Sequence, residues 1–123
     1  MQTYKVFWTE DAISDFDSII THIYTENKTN AKAMYIAIKE QCITLEHFPF
    51  RTRVVPELES LGIMQYRELI FKRWRIIYNV DDDIVNLLLI IDSRQDIQEQ
   101  LIQRVFSRSH PCIAKGWERG KEE

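Results

Sequence analysis

The sequence predicts an α+β fold in which an antiparallel helical hairpin packs on one face of a curved, mainly antiparallel four-stranded sheet. Apolar residues recur at three- and four-residue spacing in two consecutive segments before residue 50, which is the period of amphipathic helices. Segments that alternate, or that are apolar and β-branched throughout, open the chain and recur three times between residues 64 and 91. Strands grouped after a helical pair give the order β-α-α-β-β-β and indicate an α+β class.

The first strand and the first helix have clear local signals. The stretch "TYKVFW" alternates aromatic or β-branched residues with polar ones, which predicts a strand over 4–8. Thr9 then suits a helix N-cap, and the two acidic residues after it suit the positive end of the helix dipole. The apolar stripe that follows predicts a helix over about 10–26.

A second helix follows after a very short break. The stretch "NKTN" interrupts the apolar stripe, and either Thr29 or Asn30 can cap a helix over about 30–48, which Pro49 ends. Two helices joined by so short a loop are expected to lie antiparallel as a hairpin.

Three strands are predicted in the second half of the chain, at about 64–71, 74–80 and 84–91. The stretch "FPFRTRVVPELESLG" before them has two prolines and no helical period, and it is interpreted as a connector. The stretch "IVNLLLII" in the last strand is apolar on both faces, which indicates an interior position in the sheet.

The length of the turn between the second and third strands decides where two arginines face. A two-residue turn at 72–73 places Arg67 and Arg75 on opposite faces of the sheet, whereas a three-residue loop at 72–74 places them on the same face. Neither lysine nor arginine suits the positive φ of a tight two-residue hairpin turn, so the three-residue loop is favoured.

The length of 123 residues fits one domain, which we place at residues 1–106. An apolar stripe after Gln95 favours a short C-terminal helix, and the polar composition of 107–123 predicts a loosely ordered tail. No stretch of about 20 apolar residues predicts a membrane span. Cys42 is expected in the core and Cys112 in the tail, with a reducing cytoplasm as the compartment.

Cations are concentrated in one part of this acidic chain. The formal net charge is −3, yet residues 51–75 contain 6 Lys or Arg against 3 Asp or Glu. Local potential steers an anionic partner more than net charge does, so these cations predict a surface that binds an anion or a target protein. The candidate residues are Arg67, Lys72, Arg73, Arg75 and Arg94.

An ordinary sheet surface is the alternative interpretation of the same cations. Cross-strand pairs with Glu68, Asp92 and Asp96 would then hold the arginines, at about 0.2–1 kcal/mol for each pair. No residues predict a cofactor, and the stretch at 81–83 lacks the spacing and the glycine of a calcium loop.

Five stretches stand in a fixed order between residues 4 and 97: "VFWTEDAISDFDSI", "HFPFRTRVVPEL", "YREL", "RWRIIYNV" and "LLLIIDSRQD". Taken together in this order, they resemble the RelE/ParE superfamily of toxins from type II toxin–antitoxin systems, and more closely its ParE-like branch. The resemblance implies a cytoplasmic bacterial or archaeal protein that is encoded beside a cognate antitoxin. It implies one of two targets, DNA gyrase for the ParE type or ribosome-bound mRNA for the RelE type.

The residues that RelE-type nucleases use are only partly present. By resemblance, Arg67, Arg75 and Arg94 match basic positions of those nucleases, but Leu69 stands at a position that is basic in them. Cleavage by a 2′-hydroxyl needs a general base and a general acid, and the stretch "RQDIQEQL" supplies neither histidine nor tyrosine. The sequence therefore favours gyrase inhibition over the alternative, a ribosome-dependent endoribonuclease, and assigns no catalytic residue. A degenerate member that only binds its antitoxin stays open.

Overall fold

The computed structural model describes residues 3–93, which form two long helices, one short helix and a mixed five-stranded sheet. In chain order the elements are β1 (Lys5–Trp8), α1 (Glu10–Glu26), α2 (Lys28–Ile43), a 3₁₀ turn (Thr44–Glu46), β2 (Arg53–Val54), α3 (Pro56–Glu59), β3 (Arg67–Phe71), β4 (Trp74–Asp81) and β5 (Ile84–Asp92). The strands lie in the order β1-β5-β4-β3-β2. Only the β1–β5 pair among these is parallel.

The α+β class and the helical hairpin predicted from the sequence are confirmed, and so is the interior position of β5. The sheet has five strands rather than four, because the predicted connector contains the two-residue strand β2 and the single-turn helix α3. A strand of two residues has no detectable period, and α3 has only a terminal signal, Pro56 followed by acidic residues. The second helix begins at Lys28 and ends at Ile43, earlier than the predicted 30–48.

Side-chain caps fix the start of α1 and the turn between α1 and α2. The Thr9 hydroxyl accepts a hydrogen bond from the Ala12 amide at 3.3 Å and donates to the Leu87 carbonyl at 2.7 Å. The first of these bonds starts α1, and the second ties that start to the interior strand β5. Asn27 closes α1 and caps α2, since its side chain accepts from the Asn30 amide at 3.0 Å.

The main core lies between the helical hairpin and one face of the sheet. Ala12 and Phe16 of α1 and Ile38 and Cys42 of α2 pack there against alternate residues of the strands. The sheet side of this cluster includes Leu69, Trp74, Ile76, Tyr78, Val85, Leu87 and Ile90. Side chains at every second strand position share a face, so this face is set by the alternation in β3 and β4.

A smaller cluster occupies the opposite face of the sheet. Val55 and Leu58 pack there against Ile77, Leu88 and Leu89. The pairing between β4 and β5 shifts after Ile77, so that Leu88 and Leu89 both belong to this second cluster. Such an irregularity is a β-bulge, which lets two consecutive leucines serve the same face.

The three-residue loop predicted between β3 and β4 is wrong. Phe71 pairs with Trp74 across the strands, so the turn contains only Lys72 and Arg73. The backbone of Lys72 has φ 55°, in the left-handed region that a lysine adopts less readily than glycine or asparagine. The strand pairing overrides this local preference, and with a two-residue turn Arg67 and Arg75 lie on opposite faces of the sheet.

The predicted C-terminal helix, the tail and Arg94 lie outside the described residues, so the division into 1–106 and 107–123 stays a prediction. Within 3–93, no helix combines the length and the apolar character that crossing a bilayer would require.

Cys42 offers a first test of the packing. Its side chain is almost wholly buried, and burial raises the pKa of the thiol to about 12. At pH 8 the thiolate fraction is then about 10⁻⁴, so the reaction with a water-soluble alkylating reagent should be slow in the folded protein and fast in denaturant. A Cys112→Ser variant lets the label report on Cys42 alone. Labelling at equal rates with and without denaturant would contradict the buried placement.

Candidate functional site

Arg75 lies inside a network of ion pairs on the sheet face that α3 covers. Its guanidinium donates to both carboxylate oxygens of Glu57, at 2.7 and 2.9 Å, and its Nε donates to Glu68 at 2.7 Å. Glu68, whose side chain has no exposed surface, also accepts a hydrogen bond from Arg53. Two arginines therefore balance two glutamates, and the network connects α3 and β2 to β3 and β4.

The electrostatics of this network keep both partners ionised. The hydrogen bonds from Arg75 hold the pKa of Glu57 below its usual value, and those from Glu57 and Glu68 raise the pKa of Arg75 against the effect of burial. Arg75 exposes 8% of its side chain. With its guanidinium occupied by two carboxylates, Arg75 has little capacity left for an external anion.

Arg67 lies on the opposite, helix-covered face, across from Tyr78 on the neighbouring strand. Its guanidinium donates to the carbonyls of Phe50 and Thr52, and it lies 5.2 Å from the centre of the Phe50 ring. Arg67 thus anchors the connector before β2 to the sheet edge. Because the Phe50 ring beside it is exposed, the Arg67 guanidinium remains a cation that a partner can reach.

Tyr78 is the buried tyrosine of the sheet, and its hydroxyl is already committed. It donates to the Pro49 carbonyl at 2.6 Å and forms a second hydrogen bond with the Thr52 hydroxyl. Burial raises the pKa of Tyr78, so a phenolate that could act as a general base is disfavoured. Tyr78 therefore has a structural role: like Arg67, it holds the connector before β2 against the sheet.

Replacement of Tyr78 by phenylalanine tests this assignment. The change leaves the Pro49 carbonyl and the Thr52 hydroxyl without their partner, and it should lower the free energy of unfolding by about 1–3 kcal/mol. The measurement is urea denaturation, with Tyr24→Phe as the control because Tyr24 is half exposed. A Tyr78→Phe variant as stable as the parent would show that the two hydrogen bonds contribute nothing.

Lys72 and Arg73 form the exposed tip of the β3–β4 hairpin. The ammonium of Lys72 lies 5.6 Å from the centre of the Phe71 ring, and the guanidinium of Arg73 lies 4.6 Å from that of Trp74. Arg73 also approaches Asp92 at 3.4 Å through Nε, which leaves its terminal nitrogens as further donors. These contacts hold two cations beside each other at the surface.

A groove of about 400 Å³ runs beside this tip, between the end of α1 and the start of α2. Its walls include His22, Asn27, Lys72, Arg73 and Trp74. A second depression of about 260 Å³ shares His22 and Trp74 with it. The hairpin tip therefore borders a concave surface as well as a pair of charges.

The structure separates the five predicted site residues. Lys72 and Arg73 lie together at the tip, Arg67 lies further along β3 on one face, and Arg75 is buried on the other. The expectation of one continuous surface with Arg67 and Arg75 side by side depended on the three-residue loop, and the observed pairing contradicts it. The pairs of Arg75 with Glu68 and of Arg73 with Asp92 are those named in the alternative interpretation.

Glu57 is the functional neighbour that sequence reasoning missed. It is 18 positions from Arg75 in the chain and meets it only because α3 folds back over the sheet. The stretch "PELE" did contain a usable signal, since a proline followed by acidic residues is typical of a helix N-terminus.

The described part of the chain offers no metal centre. Within residues 3–93, no three His, Cys, Asp or Glu side chains come together in a way that could hold a metal ion. What the described groups provide is binding chemistry: exposed cations, an aromatic wall and a groove.

Comparison with known proteins gives a consistent result. The chain matches the family model described as ParE toxin of type II toxin-antitoxin system, parDE, over residues 6–97. Among solved structures it is similar to a chain of the RelBE2 toxin–antitoxin complex from Mycobacterium tuberculosis, at 19% identity and a TM-score of 0.55. That alignment covers 75% of this chain and 93% of the other. No curated protein sequence matches.

The structural similarity supports the fold. The family match extends over most of the chain and includes every strand of the sheet, except for Lys5 at the start of β1. The stretches that suggested the RelE/ParE superfamily fall inside the matched range or overlap it. The chain belongs to the ParE toxin family of type II toxin–antitoxin systems.

Proposed function

We propose that this protein arrests growth in the cytoplasm by binding and inhibiting DNA gyrase, and that a cognate antitoxin encoded beside it neutralises it. The observation that carries the proposal is the match to the ParE toxin family over residues 6–97. It is the ParE-like branch for which gyrase, rather than mRNA, is the expected target.

The geometry of the cations supports binding over chemistry. Arg75 is neutralised by Glu57 and Glu68, and the Tyr78 hydroxyl is engaged by the backbone. Phosphodiester cleavage needs an acid and a base within reach of one phosphate. Among residues 3–93, neither Arg75 nor Tyr78 is free to take part. We propose Lys72 and Arg73 as the cations that contact the target and Arg75 as a structural support, and we keep Arg67 and Arg94 as further candidate contacts.

The antitoxin is proposed to cover apolar surface. Large apolar side chains that are about half exposed occur on both long helices, in the connector and on β3. They are Ile13, Tyr24, Tyr35, Ile36, Ile43, Phe48, Phe50, Leu61, Met64 and Ile70. A segment that is disordered until it binds can cover such a spread of surface in one chain.

A second candidate function is a ribosome-dependent mRNA endoribonuclease. The observation that favours it is the structural likeness to a chain of a complex named RelBE2. At 19% identity this likeness concerns the fold, so we rank the nuclease second.

The two functions separate in paired assays on one protein preparation. Purified protein is expected to inhibit supercoiling by gyrase or to raise the level of cleaved complex, and to leave mRNA intact in a translating extract. Addition of the protein encoded by the neighbouring gene should relieve the inhibition. Codon-position-specific mRNA cuts with unaffected gyrase would reverse the ranking.

A further inference from the structure

The groove beside the β3–β4 hairpin combines four features that point to an anionic ligand. Three elements form it: the C-terminal end of α1, the N-terminal end of α2 and the hairpin tip. The lining residues are His22, Ile23, Glu26, Asn27, Asn30 and Met34, together with Lys72, Arg73 and Trp74. Its volume of about 400 Å³ is in the range of ligand sites.

The first feature is the pair of cations Lys72 and Arg73, and the second is the backbone conformation of Lys72. Lys72 adopts φ 55° in a position where glycine or asparagine is favoured, whereas the corresponding first turn residue of the next hairpin is Asp82, with φ 56°. A lysine is less favourable than glycine in the left-handed region. Strain of this kind is concentrated at functional sites, which makes Lys72 a candidate for a role beyond the turn.

The third feature is the N-terminus of α2, which faces the groove through Asn27 and Asn30. The first turn of this 16-residue helix contains no acidic residue, in contrast to α1, which has Glu10 and Asp11 there. The positive end of the α2 dipole is therefore not compensated from within its own first turn. An anion in the groove would provide that compensation.

The fourth feature is independent of charge. Trp74 forms part of the wall and exposes only 6% of its surface, yet its indole N–H has no hydrogen-bond acceptor among the described residues. A buried donor without a partner is uncommon in native structures and calls for an acceptor. The N–H has almost no exposed surface, so a ligand oxygen would supply the acceptor only after a neighbouring side chain of the groove moves aside.

We propose that this groove binds a carboxylate from an acidic polypeptide segment of the target protein. Lys72 and Arg73 would pair with the carboxylate, the α2 N-terminus would favour its charge, and the Trp74 N–H would donate to an oxygen of the same segment. This inference rests on the proposed function in one respect, namely that the segment belongs to the target that the toxin inhibits.

The surrounding charge favours a peptide over a nucleic acid. Helix α1 carries five acidic residues and neither Lys nor Arg along its 17 residues, and it forms one side of the groove. A phosphate backbone that followed the groove would run beside this acidic helix, whereas nucleic-acid sites align several cations with the phosphates. A peptide can place one carboxylate at the hairpin tip and continue elsewhere. Glu26 in the wall lies 3.3 Å from His22, a contact that is an ion pair only when the histidine is protonated.

The test follows the Trp74 indole N–H by NMR on the full-length protein, with the resonance assigned from Trp74→Phe. Titration with hexaglutamate is expected to shift this resonance in a saturable way. Lys72→Gly keeps the turn, since glycine accepts a positive φ, and should weaken binding by about tenfold while the stability stays equal or rises. Trp74→Phe removes the unpaired donor but also shortens a side chain packed in the main core, so some loss of stability is expected. Under conditions in which this variant is folded, it should bind hexaglutamate more weakly, as judged by the remaining groove resonances.

Lys32→Ala is the matched control because Lys32 lies on α2 outside the groove, and it should bind like the parent. Three results would overturn the inference: no shift with hexaglutamate, an equal shift with a single-stranded oligonucleotide, or Lys72→Gly binding as the parent does. The proposed function fails separately. If hexaglutamate binds as expected and gyrase is unaffected, the carboxylate site stands and its natural source is a different protein.

Discussion

Replacement of Arg75 by alanine is expected to lower the free energy of unfolding by about 3–5 kcal/mol, the usual effect of breaking a buried ion pair by removing one partner. The reason is that Glu68 is fully buried and would keep only Arg53, whose side chain is 59% exposed. Glu57 would also lose both of its hydrogen bonds to Arg75, and α3 would be held to β4 by apolar packing alone. Urea denaturation measures the effect, and growth arrest should be lost together with the fold.

Two controls make the Arg75 result specific. Arg73→Ala, an exposed arginine two residues away, should change the stability by less than about 1 kcal/mol. The double replacement Arg75→Met with Glu68→Leu removes both buried charges and should recover much of the loss. A stable Arg75→Ala variant that no longer arrests growth would instead make Arg75 a contact residue, as the sequence first suggested.

Acid should affect the parent and the variant differently. The pKa of Glu57 is lowered in the folded state, so its contribution to stability is present above its unfolded pKa and is lost as the pH falls through the folded value. Without Arg75 that contribution is absent, and the stability of the variant should be less sensitive to pH in this acidic range.

The predictable parts of the fold are the segments in which a long apolar pattern is bounded by a clear start or stop signal. The stripe of α1 and its cap at Thr9 gave both bounds of that helix, and the doubly apolar β5 gave its place inside the sheet. The packing on the sheet face opposite the helical hairpin was not predicted, because β2 and α3 are too short to show a hydrophobic period. The bulge at Leu88 was invisible for a related reason, since an apolar run on both faces has no alternation to interrupt.

The site was only partly predictable because one residue of turn length decides which face each arginine occupies. Local preference argued against a positive φ at Lys72, but the pairing of Phe71 with Trp74 required it. Burial was the second unknown. Arg73 and Arg75 look alike in sequence, yet the first lies at the hairpin tip and the second between two glutamates. Sequence alone does not distinguish these two arginines, because the burial of Arg75 depends on its tertiary contact with Glu57.

The largest functional effect is expected from reversing the charge at the hairpin tip. The combined replacement Lys72→Asp and Arg73→Gln changes the tip from two cations to one anion. Aspartate tolerates the left-handed backbone, as Asp82 does at the equivalent place in the β4–β5 hairpin, so the turn should form. Only exposed contacts are lost, namely the approach of Arg73 to Asp92 and the two cation–aromatic pairs, and the stability should change by about 1 kcal/mol or less.

Against an acidic target segment, the same change should weaken gyrase inhibition by about a hundredfold or more, because a like charge placed across an interface costs several kcal/mol. The assay is the concentration of toxin that halves supercoiling activity, together with growth arrest at matched soluble expression. The control is Lys32→Asp with Lys39→Gln, an equal charge change at two exposed positions of α2 that do not line the groove, which should leave inhibition close to that of the parent. Because exposed charges are screened by ions, inhibition by the parent should also weaken as salt rises, and more steeply than in the tip variant. A tip variant that folds and still inhibits gyrase at the parent's concentration would remove Lys72 and Arg73 from the contact surface and leave Arg67 and Arg94 as the cations to test.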